Sequence, residues 1–382
     1  MFENLIGDER PLSWVLRFWP VLVVSFLAAL VGTLISRKIA IRFGIVDMPD
    51  DLVKTHHKPV AYLGGIGIFT GISAGIIAGI VYLSGGEYFH QSSKWLLGIL
   101  GGAAIACLIG FIDDLRDLRP SGKILGQVAA AVVLLAVGIS PNLTFLTKQL
   151  YLPISPLIED VLEIAIVIIF VVGSTNSLNL LDGLDGLCAG VTTVISLAML
   201  LISIHLATWY FSGVGDPVRI IICLALVGAS AGFLPFNRYP ARIFMGDAGS
   251  MLLGFMIAAL MILFGEHIPR WWMASVVVFG LPILDTAVAL IRRLINHRPL
   301  FVSDRGHIYD QMIDRGIPLK KTVAISYYLA GLYALIGLAM SQIRTRYAGI
   351  VYVIVFGVSG IIVWKKGYLK MEGLRGAVRK QH

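Results

Sequence analysis

Long apolar stretches alternate with short polar segments along almost the whole of this 382-residue chain. A helix needs roughly 20 apolar residues to cross about 30 Å of hydrocarbon. Stretches of that kind predict eleven membrane spans, or ten if the short fourth one is left out. Their centres lie near Leu27, Gly75, Ala104, Val132, Val171, Leu197, Leu226, Phe255, Val278, Leu332 and Val355. The pattern predicts an all-α, polytopic transmembrane bundle that forms one integral-membrane domain over residues 1–382.

Composition agrees with a membrane protein, because 57% of the residues are hydrophobic and only 14% are charged. Soluble domains average about 45–50% and about 25%, respectively. The net charge of +8 comes from basic loops and from a basic tail over residues 365–382, which attraction to anionic membrane lipids explains. Since the sequence has no soluble basic face, no nucleic-acid partner is expected.

The distribution of Lys and Arg predicts the orientation, because these residues are retained on the cytoplasmic side of a membrane. The odd-numbered loops and the tail carry about 23 of the 31 Lys and Arg residues. This bias places the N-terminus outside and the C-terminus in the cytoplasm, although Arg344 and Arg346 go against the rule. Every cluster of acids, amides and glycines then falls on the cytoplasmic side. The clusters are Lys54 to Gly65, Asp113 to Lys123, Asn176 to Gly186, Arg242 to Ser250 and Arg292 to Arg315.

Asp113 and Asp114 directly follow an apolar run. Placing a carboxylate at the bilayer centre costs roughly 2.5 to 3.5 kcal/mol of insertion free energy, so acids next to an apolar run indicate a function. Neighbouring side chains on a helix point about 100° apart, so the pair fits two roles better than one shared ion. Close like charges raise one pKa, which suits a proton acceptor beside a phosphate. The alternative is a solvated span end, and Lys123 either binds a phosphate or extends along the membrane surface.

Four polar side chains recur at every third position at the inner end of the fifth span, namely Asn176, Asn179, Asp182 and Asp185. Neighbours in this series share a helical face, and Gly183 and Gly186 indicate that the helix ends or distorts there. Such a row can offer oxygen ligands to Mg²⁺, which takes one or two protein groups and completes its shell with phosphate and water. A polar seam between packed helices is the alternative.

Two further segments add candidate ligands. Asp247 lies between Gly246 and Gly249 at the start of the eighth span, where glycines let backbone approach a ligand. It is a candidate cation ligand there, or else an ordinary helix cap. His307 lies in a loop of roughly thirty residues, longer than most connections, and is either a substrate contact or a solvated histidine.

Together and in this order, the motifs over residues 47–315 resemble those of the polyprenyl-phosphate N-acetylhexosamine-1-phosphate transferases. They are Lys54-x-His56-x-x-Pro59 with Gly64-Gly65, Asp113-Asp114 with Lys123 and Gln127, Asn176-x-x-Asn179-x-x-Asp182-Gly-x-Asp185-Gly, Phe244-Met-Gly-Asp247-x-Gly-Ser, and Asp304-Arg-x-His307. Members of that family move a sugar 1-phosphate from a UDP-sugar to undecaprenyl phosphate at the cytoplasmic leaflet of the bacterial plasma membrane and release UMP. The resemblance implies a Mg²⁺-dependent enzyme, with Mn²⁺ as a substitute, that begins a cell-envelope polysaccharide pathway.

The resemblance also implies roles for single residues. Asp113 matches the acid that deprotonates or orients the lipid phosphate, with Asp114 beside it and Lys123 as a diphosphate contact. Asn179 and Asp247 match the positions associated with Mg²⁺. The positions that border the substrates are Lys54, Asn176, Asp182, Asp185, Phe244, Arg305 and His307. The implied partners are the UDP-sugar, undecaprenyl phosphate and membrane lipids, and a homodimer stays open.

The chain departs from the family pattern in two places. Many bacterial relatives read Pro-x-Arg-Leu-Gly-Gly where it has Ala61-Tyr62-Leu63-Gly64-Gly65, and His-Ile-His-His where it has His307-Ile308-Tyr309-Asp310. The second change removes two cationic or donor groups, so it affects the expected donor sugar more than the reaction class. We expect UDP-GlcNAc as the donor. The runner-up within the family is the phospho-MurNAc-pentapeptide translocase, which has the histidine-rich loop that this chain lacks.

Two other classes of protein fit less well. A transporter would carry acids near the bilayer midplane and an inverted repeat, whereas these acids lie at inner span ends and the sequence shows no repeat. The CDP-alcohol phosphotransferases share Asp-Gly pairs, but they have Ala-Arg where this chain has Leu184-Asp185.

Overall fold

The computed structural model describes residues 11–48, 59–86, 88–143, 154–210, 213–266, 269–298 and 306–370. Within these ranges the chain forms helices and one small antiparallel sheet of two strands, β1 (Val46–Asp47) and β2 (Val60–Ala61). The helices are α1 (Pro11–Phe43), α2 (Gly64–Leu83), α3 (Phe89–Arg116), α4 (Pro120–Ala136), α5 (Pro156–Leu181), α6 (Leu187–Trp209), α7 (Gly215–Asn237), α8 (Gly246–Phe264), α9 (Pro269–Val278), α10 (Gly280–Ile295), α11 (Ile308–Asp314), α12 (Leu319–Gln342) and α13 (Thr345–Lys365).

The structure confirms an all-α, multi-pass membrane protein. Every predicted span centre falls inside a helix. In the described residues, eight helices are long and apolar enough to cross a membrane, or nine if the bent pair α9 and α10 counts as one span. The fourth predicted span is a helix of only 17 residues, Pro120–Ala136. The count of eleven spans therefore stays a prediction.

The predicted span near Val278 is a broken one. The chain bends by 67° between α9 and α10. Pro282, in the first turn of α10, has no N–H to donate to the Val278 carbonyl, and its ring would collide with that carbonyl in a continuous helix. The break directs α10 against α5, where the Thr286 hydroxyl donates to Ser177 Oγ at 3.0 Å.

Helices α7 and α8 lie at the centre of the bundle, and α1 and α13 lie at its periphery. Close packing around α7 depends on small residues, as is common between membrane helices. A Cβ added at Gly71 would lie 2.5 Å from Ala29 Cβ of α1, and one added at Gly228 would lie 2.6 Å from the Leu22 carbonyl. The Ser25 hydroxyl bonds to the Ala225 carbonyl at 2.7 Å in the same interface.

The small sheet joins the starts of α2 and α8. Val46 pairs with Ala61 in the sheet, and Ala61 also bridges to Ile243, just before α8. The Gly64 N–H donates to the Phe244 carbonyl at 2.9 Å. These bonds place the segment before α2 against the segment before α8. Lys54 lies between the two strands in the chain and outside the described residues.

Candidate active site

Four helix ends meet at one end of the bundle and bring five of the predicted site residues together. They are the end of α3 with Asp113 and Asp114, the start of α4 with Lys123, the end of α5 with Asn179, and the start of α8 with Asp247. These residues lie far apart in the sequence, and the packing of α3, α4 and α5 on the bundle places them within contact of each other.

Lys123 links two acids from different helices. Its Nζ lies 3.0 Å from Asp247 Oδ2 and forms a second ion pair with Asp113. Asp113 is buried, and its Oδ1 also accepts a hydrogen bond from the Leu118 N–H at 2.8 Å. The ammonium group thus reduces the repulsion between the two carboxylates. The alternative that Asp113 is a solvated span end is wrong, because α3 turns at Asp117 and folds back over it.

Asp114 has different partners from Asp113. Its two carboxylate oxygens accept from the backbone N–H groups of Asp247 at 2.8 Å and Ala248 at 3.1 Å, so α3 caps the start of α8. The close approach needs glycines on both sides. Gly246 has φ +68° and an added Cβ there would lie 2.5 Å from Asp114 Oδ2, while one at Gly110 would lie 2.3 Å from the Asp247 carbonyl.

This arrangement shows how Asp247 is held. Its side chain bonds to Lys123 rather than to N–H groups of its own helix, so it is not the ordinary helix cap that was the alternative. Asp114 does the capping instead, which makes it a positioning residue for the segment that carries Asp247.

We expect Asp114→Ala to lower the stability of the start of α8 by about 0.5–2 kcal/mol, the usual effect of losing a cap, and to reduce activity by displacing Asp247. Asp114→Asn retains one accepting oxygen and should be affected less. The apparent melting temperature in detergent and the steady-state rate would measure both effects. An Asp114→Ala protein with unchanged melting temperature and rate would show that the cap is dispensable.

The predicted row on α5 divides between two neighbours. Asn179 donates to Ser250 Oγ of α8 at 3.1 Å and is also in hydrogen-bonding contact with Asp247. Asn176, one turn earlier, donates to Gln127 Oε1 of α4 at 2.9 Å. Asn179 therefore faces the acid cluster, and Asn176 supports it from behind.

Asp182 and Asp185 lie beyond the end of α5, which confirms that the helix ends before the glycines. Burial raises the pKa of the Asp182 carboxyl well above its usual value, and repulsion from Asp247, Asp114 and Asp185 raises it further. Asp185 is buried, and its Oδ2 accepts from the Ala241 N–H at 2.8 Å. Asp182 thus faces the shared acid cluster, while Asp185 holds the turn before α8.

The oxygen donors around Asp247 fit a hard divalent cation. Among the described residues, no three His, Cys, Asp or Glu side chains are close enough to enclose a metal ion by themselves. Mg²⁺ does not require such a cage, because it binds to one or two protein groups and to phosphate and water oxygens. The Asp247 carboxylate and the Asn179 amide can supply that partial shell. Asp247 already binds one cationic group, the ammonium of Lys123.

An aromatic pair lies beside the acids. Phe244 is half-buried and meets the ring of Tyr62 edge to face, with 6.4 Å between the ring centroids. Burial raises the pKa of the Tyr62 hydroxyl, and the nearby acids Asp114 and Asp247 add to the shift. The hydroxyl therefore stays protonated and can act as a hydrogen-bond donor at the edge of the cluster.

His307 is buried, with 4% of its surface exposed, so the alternative of a solvated loop histidine is wrong. Its Nδ1 lies 2.8 Å from Asp285 Oδ2, and the Ile308 N–H donates to Asp285 Oδ1 at 2.7 Å. Its ring stacks on that of Tyr309, whose hydroxyl donates to the Leu180 carbonyl at 2.7 Å. The loop after α10 is thereby attached to the end of α5. Arg305 lies outside the described residues.

Asp285 was missed by the sequence analysis, although a signal was present. It is an acid within the apolar stretch Gly280–Ile295, the same feature that drew attention to Asp113. Asp285 lies inside a predicted span and outside every polar cluster, so the sequence pattern does not connect it with the site.

Comparisons of the sequence with known proteins find similar transferases. Residues 96–265 match glycosyl transferase family 4. The probable undecaprenyl-phosphate N-acetylglucosaminyl 1-phosphate transferase of Bacillus subtilis is 29% identical over 88% of this chain and 87% of its own length. The decaprenyl-phosphate N-acetylglucosaminephosphotransferase of Mycolicibacterium smegmatis is 30% identical over 78% and 76%. The phospho-N-acetylmuramoyl-pentapeptide-transferase of Campylobacter jejuni is 31% identical over 75% and 84%.

Proposed function

This chain belongs to the polyprenyl-phosphate N-acetylhexosamine-1-phosphate transferases of glycosyl transferase family 4, and we propose that it transfers GlcNAc 1-phosphate from UDP-GlcNAc to undecaprenyl phosphate. The products are undecaprenyl-diphosphate-GlcNAc and UMP, and the reaction begins a cell-envelope polysaccharide pathway. The observation that carries the proposal is the junction where Lys123 pairs with both Asp113 and Asp247, since two phosphate substrates and a cation need opposite charges in one place.

The proposed setting is the bacterial plasma membrane, with the active site and the C-terminus on the cytoplasmic face and the N-terminus outside. The bias of Lys and Arg toward the loops on the active-site side supports this orientation. A UDP-sugar is soluble and a polyprenyl phosphate has its headgroup at the membrane surface, so a site at the inner helix ends is accessible to both substrates.

In the proposed reaction, an oxygen of the lipid phosphate attacks the β-phosphorus of UDP-GlcNAc. A new phosphorus–oxygen bond forms as the bond to UMP breaks, and UMP leaves with the electron pair. Asp113 accepts a proton from the lipid phosphate or orients it, and Lys123 stabilises negative charge on the diphosphate. A Mg²⁺ ion held by Asp247 and Asn179 would supply further charge stabilisation on that diphosphate.

Direct displacement fits the surroundings of Asp113 better than a covalent aspartyl intermediate. Both of its oxygens already have partners, Leu118 N–H and Lys123 Nζ, so neither is presented as a nucleophile. The lipid phosphate is already an anion and needs no prior activation by a covalent step.

The donor nucleotide is assigned to the other side of the cluster. Phe244 is proposed to offer its ring to uracil, and Asp182, at the C-terminal end of α5, is near enough to interact electrostatically with Tyr62, the ring partner of Phe244. Asn176 and Asp185 shape this side through Gln127 and Ala241. Lys54 and Arg305 are proposed to border the phosphates and the sugar.

A panel of UDP-sugars tests the donor. Purified protein with undecaprenyl phosphate and Mg²⁺ should release UMP fastest from UDP-GlcNAc or a close UDP-hexose, and much more slowly from UDP-MurNAc-pentapeptide. The second candidate is phospho-MurNAc-pentapeptide transfer, the activity that the name of the Campylobacter jejuni relative states. Preference for the pentapeptide donor would establish that candidate and reject the first.

We expect the double change Tyr309→His and Asp310→His to alter sugar preference more than Mg²⁺ dependence. Both residues are buried, Tyr309 bonds to Leu180 at the end of α5, and Asp310 is proposed to contact the sugar rather than the metal. The relative kcat/KM for UDP-GlcNAc and other UDP-sugars would measure the change. Tyr309→Phe is the matched control, since it removes only the bond to Leu180. Equal kinetics for all donors before and after the double change would show that the loop does not select the sugar.

A further inference from the structure

We infer that Asp285 is a positioning residue that holds His307 toward the phosphates of the donor. The inference rests on the proposed function, because it supposes a UDP-sugar at the end of α5. Asp285 is 1% exposed, and each of its oxygens has a partner in the loop after α10, one the ring of His307 and the other the backbone of Ile308.

A buried carboxylate is costly unless it is hydrogen-bonded, so this pair of contacts is a specific arrangement rather than an accident of packing. The carboxylate can only accept, and therefore His307 carries a proton on Nδ1. In that state Nε2 is the atom through which the ring acts on a ligand, as an acceptor when neutral and as a donor when protonated.

Two contacts fix the ring of His307, the bond of Nδ1 to Asp285 at its edge and the Tyr309 ring on its face. It lies parallel to the Tyr309 ring, with 5.5 Å between centroids and 10° between planes. Tyr309 in turn bonds to Leu180, and a Cβ added at Gly183 would lie 2.2 Å from the Tyr309 hydroxyl. A single ring, that of Tyr309, thus separates His307 from the turn that carries Asp182.

The helix that carries Asp285 is itself attached to the site. Thr286, the next residue, bonds to Ser177 on α5, two residues before Asn179. The position of Asp285 relative to α5 is therefore set by direct packing, and a rigid chain of contacts runs from α5 through α10 to His307.

Variants of His307 distinguish a role in contacting the donor from a role in supporting the loop. The amide nitrogen of Asn lies close to the place of Nδ1, so His307→Asn can keep the bond to Asp285 but has nothing in the place of Nε2. We expect kcat/KM for UDP-GlcNAc to fall by about 10- to 100-fold, the usual effect of disturbing an oriented histidine. His307→Gln, whose amide reaches the place of Nε2, should retain more activity. Wild-type kcat/KM in His307→Asn would overturn the inference, because loop support alone would then suffice.

Variants of Asp285 test the coupling. Asp285→Asn should lose a similar factor, expressed mainly as a higher KM and a weaker affinity for UDP in calorimetry, because the amide no longer fixes the Nδ1 proton. The double change with His307→Gln should lose no more than the larger of the two single losses, since both changes remove the same contact between the two side chains. Thr208→Val, which removes a half-buried bond within α6 from the Thr208 hydroxyl to the Ile204 carbonyl at the end of that helix away from the site, is the control and should keep kcat/KM within about twofold. Independent, additive losses would contradict the positioning role.

The outcomes distinguish this inference from the proposed function. If the wild-type protein neither binds UDP nor consumes a UDP-sugar, the proposed function fails. If the wild-type protein does both and Asp285→Asn matches it, only the positioning role fails. Hydrogen exchange of residues 306–315 reports whether Asp285→Asn loosens the loop, and if it does, His307→Asn decides the question because it leaves Asp285 and its bond to Ile308 in place.

Discussion

Asp247→Asn will reduce the turnover number by roughly 100-fold or more while the protein stays folded. The substitution keeps the shape of the side chain and removes the charge that pairs with Lys123 and that we assign to Mg²⁺. The backbone contacts of Asp247 with Asp114 are untouched, so the start of α8 should keep its position. UMP release from UDP-GlcNAc and undecaprenyl phosphate, together with the melting temperature in detergent, would measure both parts of the prediction.

Asp160→Asn is a matched control, because Asp160 is an exposed acid on α5 far along the helix from the cluster. It should leave turnover unchanged. Removal of divalent cations with EDTA should abolish turnover in the wild-type protein, and Mg²⁺ or Mn²⁺ should restore it. Full activity in EDTA, or an Asp247→Asn protein as fast as wild type, would reject the metal assignment.

Asp113→Asn will abolish transfer while the protein still binds UDP-GlcNAc. Asp113 lies on α3 and is assigned to the acceptor phosphate, whereas Asp182 and Asp185 follow α5 and are assigned to the donor. Removing one charge at the end of α3 should therefore leave the nucleotide side intact. Calorimetry with the donor and a transfer assay with the same preparation would separate the two effects.

Asp185→Asn is the reciprocal variant for this assignment. It weakens the bond that holds Ala241 next to the nucleotide side, so donor binding should fall. If donor binding vanished in Asp113→Asn and survived in Asp185→Asn, the two sides of the site would have to be exchanged.

The sequence was sufficient to predict the helices, because hydropathy over about 20 residues reports what the bilayer requires. It failed to show the break at Phe279, although the cause is local. Pro282 lies inside an apolar stretch, and proline in a membrane helix can be accommodated by neighbouring helices, so its effect depends on packing that the sequence does not display. The direction of α10 in the structure follows from contacts with α5.

The sequence indicated which residues lie in the candidate site better than it indicated the contacts between them. The spacing of Asn176, Asn179 and Asp182 indicated a shared face, but helix drift turns Asn176 toward α4 and Asn179 toward α8. The neighbours Asp113 and Asp114 were expected to have separate roles, but the sequence did not predict their partners. Those of Asp114 are more than a hundred positions away, and those of Asp113 are Leu118 in a turn that the fold defines and Lys123 on the next helix.

The cap that Asp114 forms on α8 fixes the distance between two parts of the site. Consecutive Cα atoms are about 3.8 Å apart, so Asp113, which we assign to the lipid phosphate, and Asp114, which holds the segment that carries Asp247, are separated by a single peptide unit. No flexible linker or long side chain lies in that distance. In the proposed reaction, the alignment of the two phosphates therefore depends on the relative position of α3 and α8, and the cap would keep the two substrates in register even though they arrive from different phases.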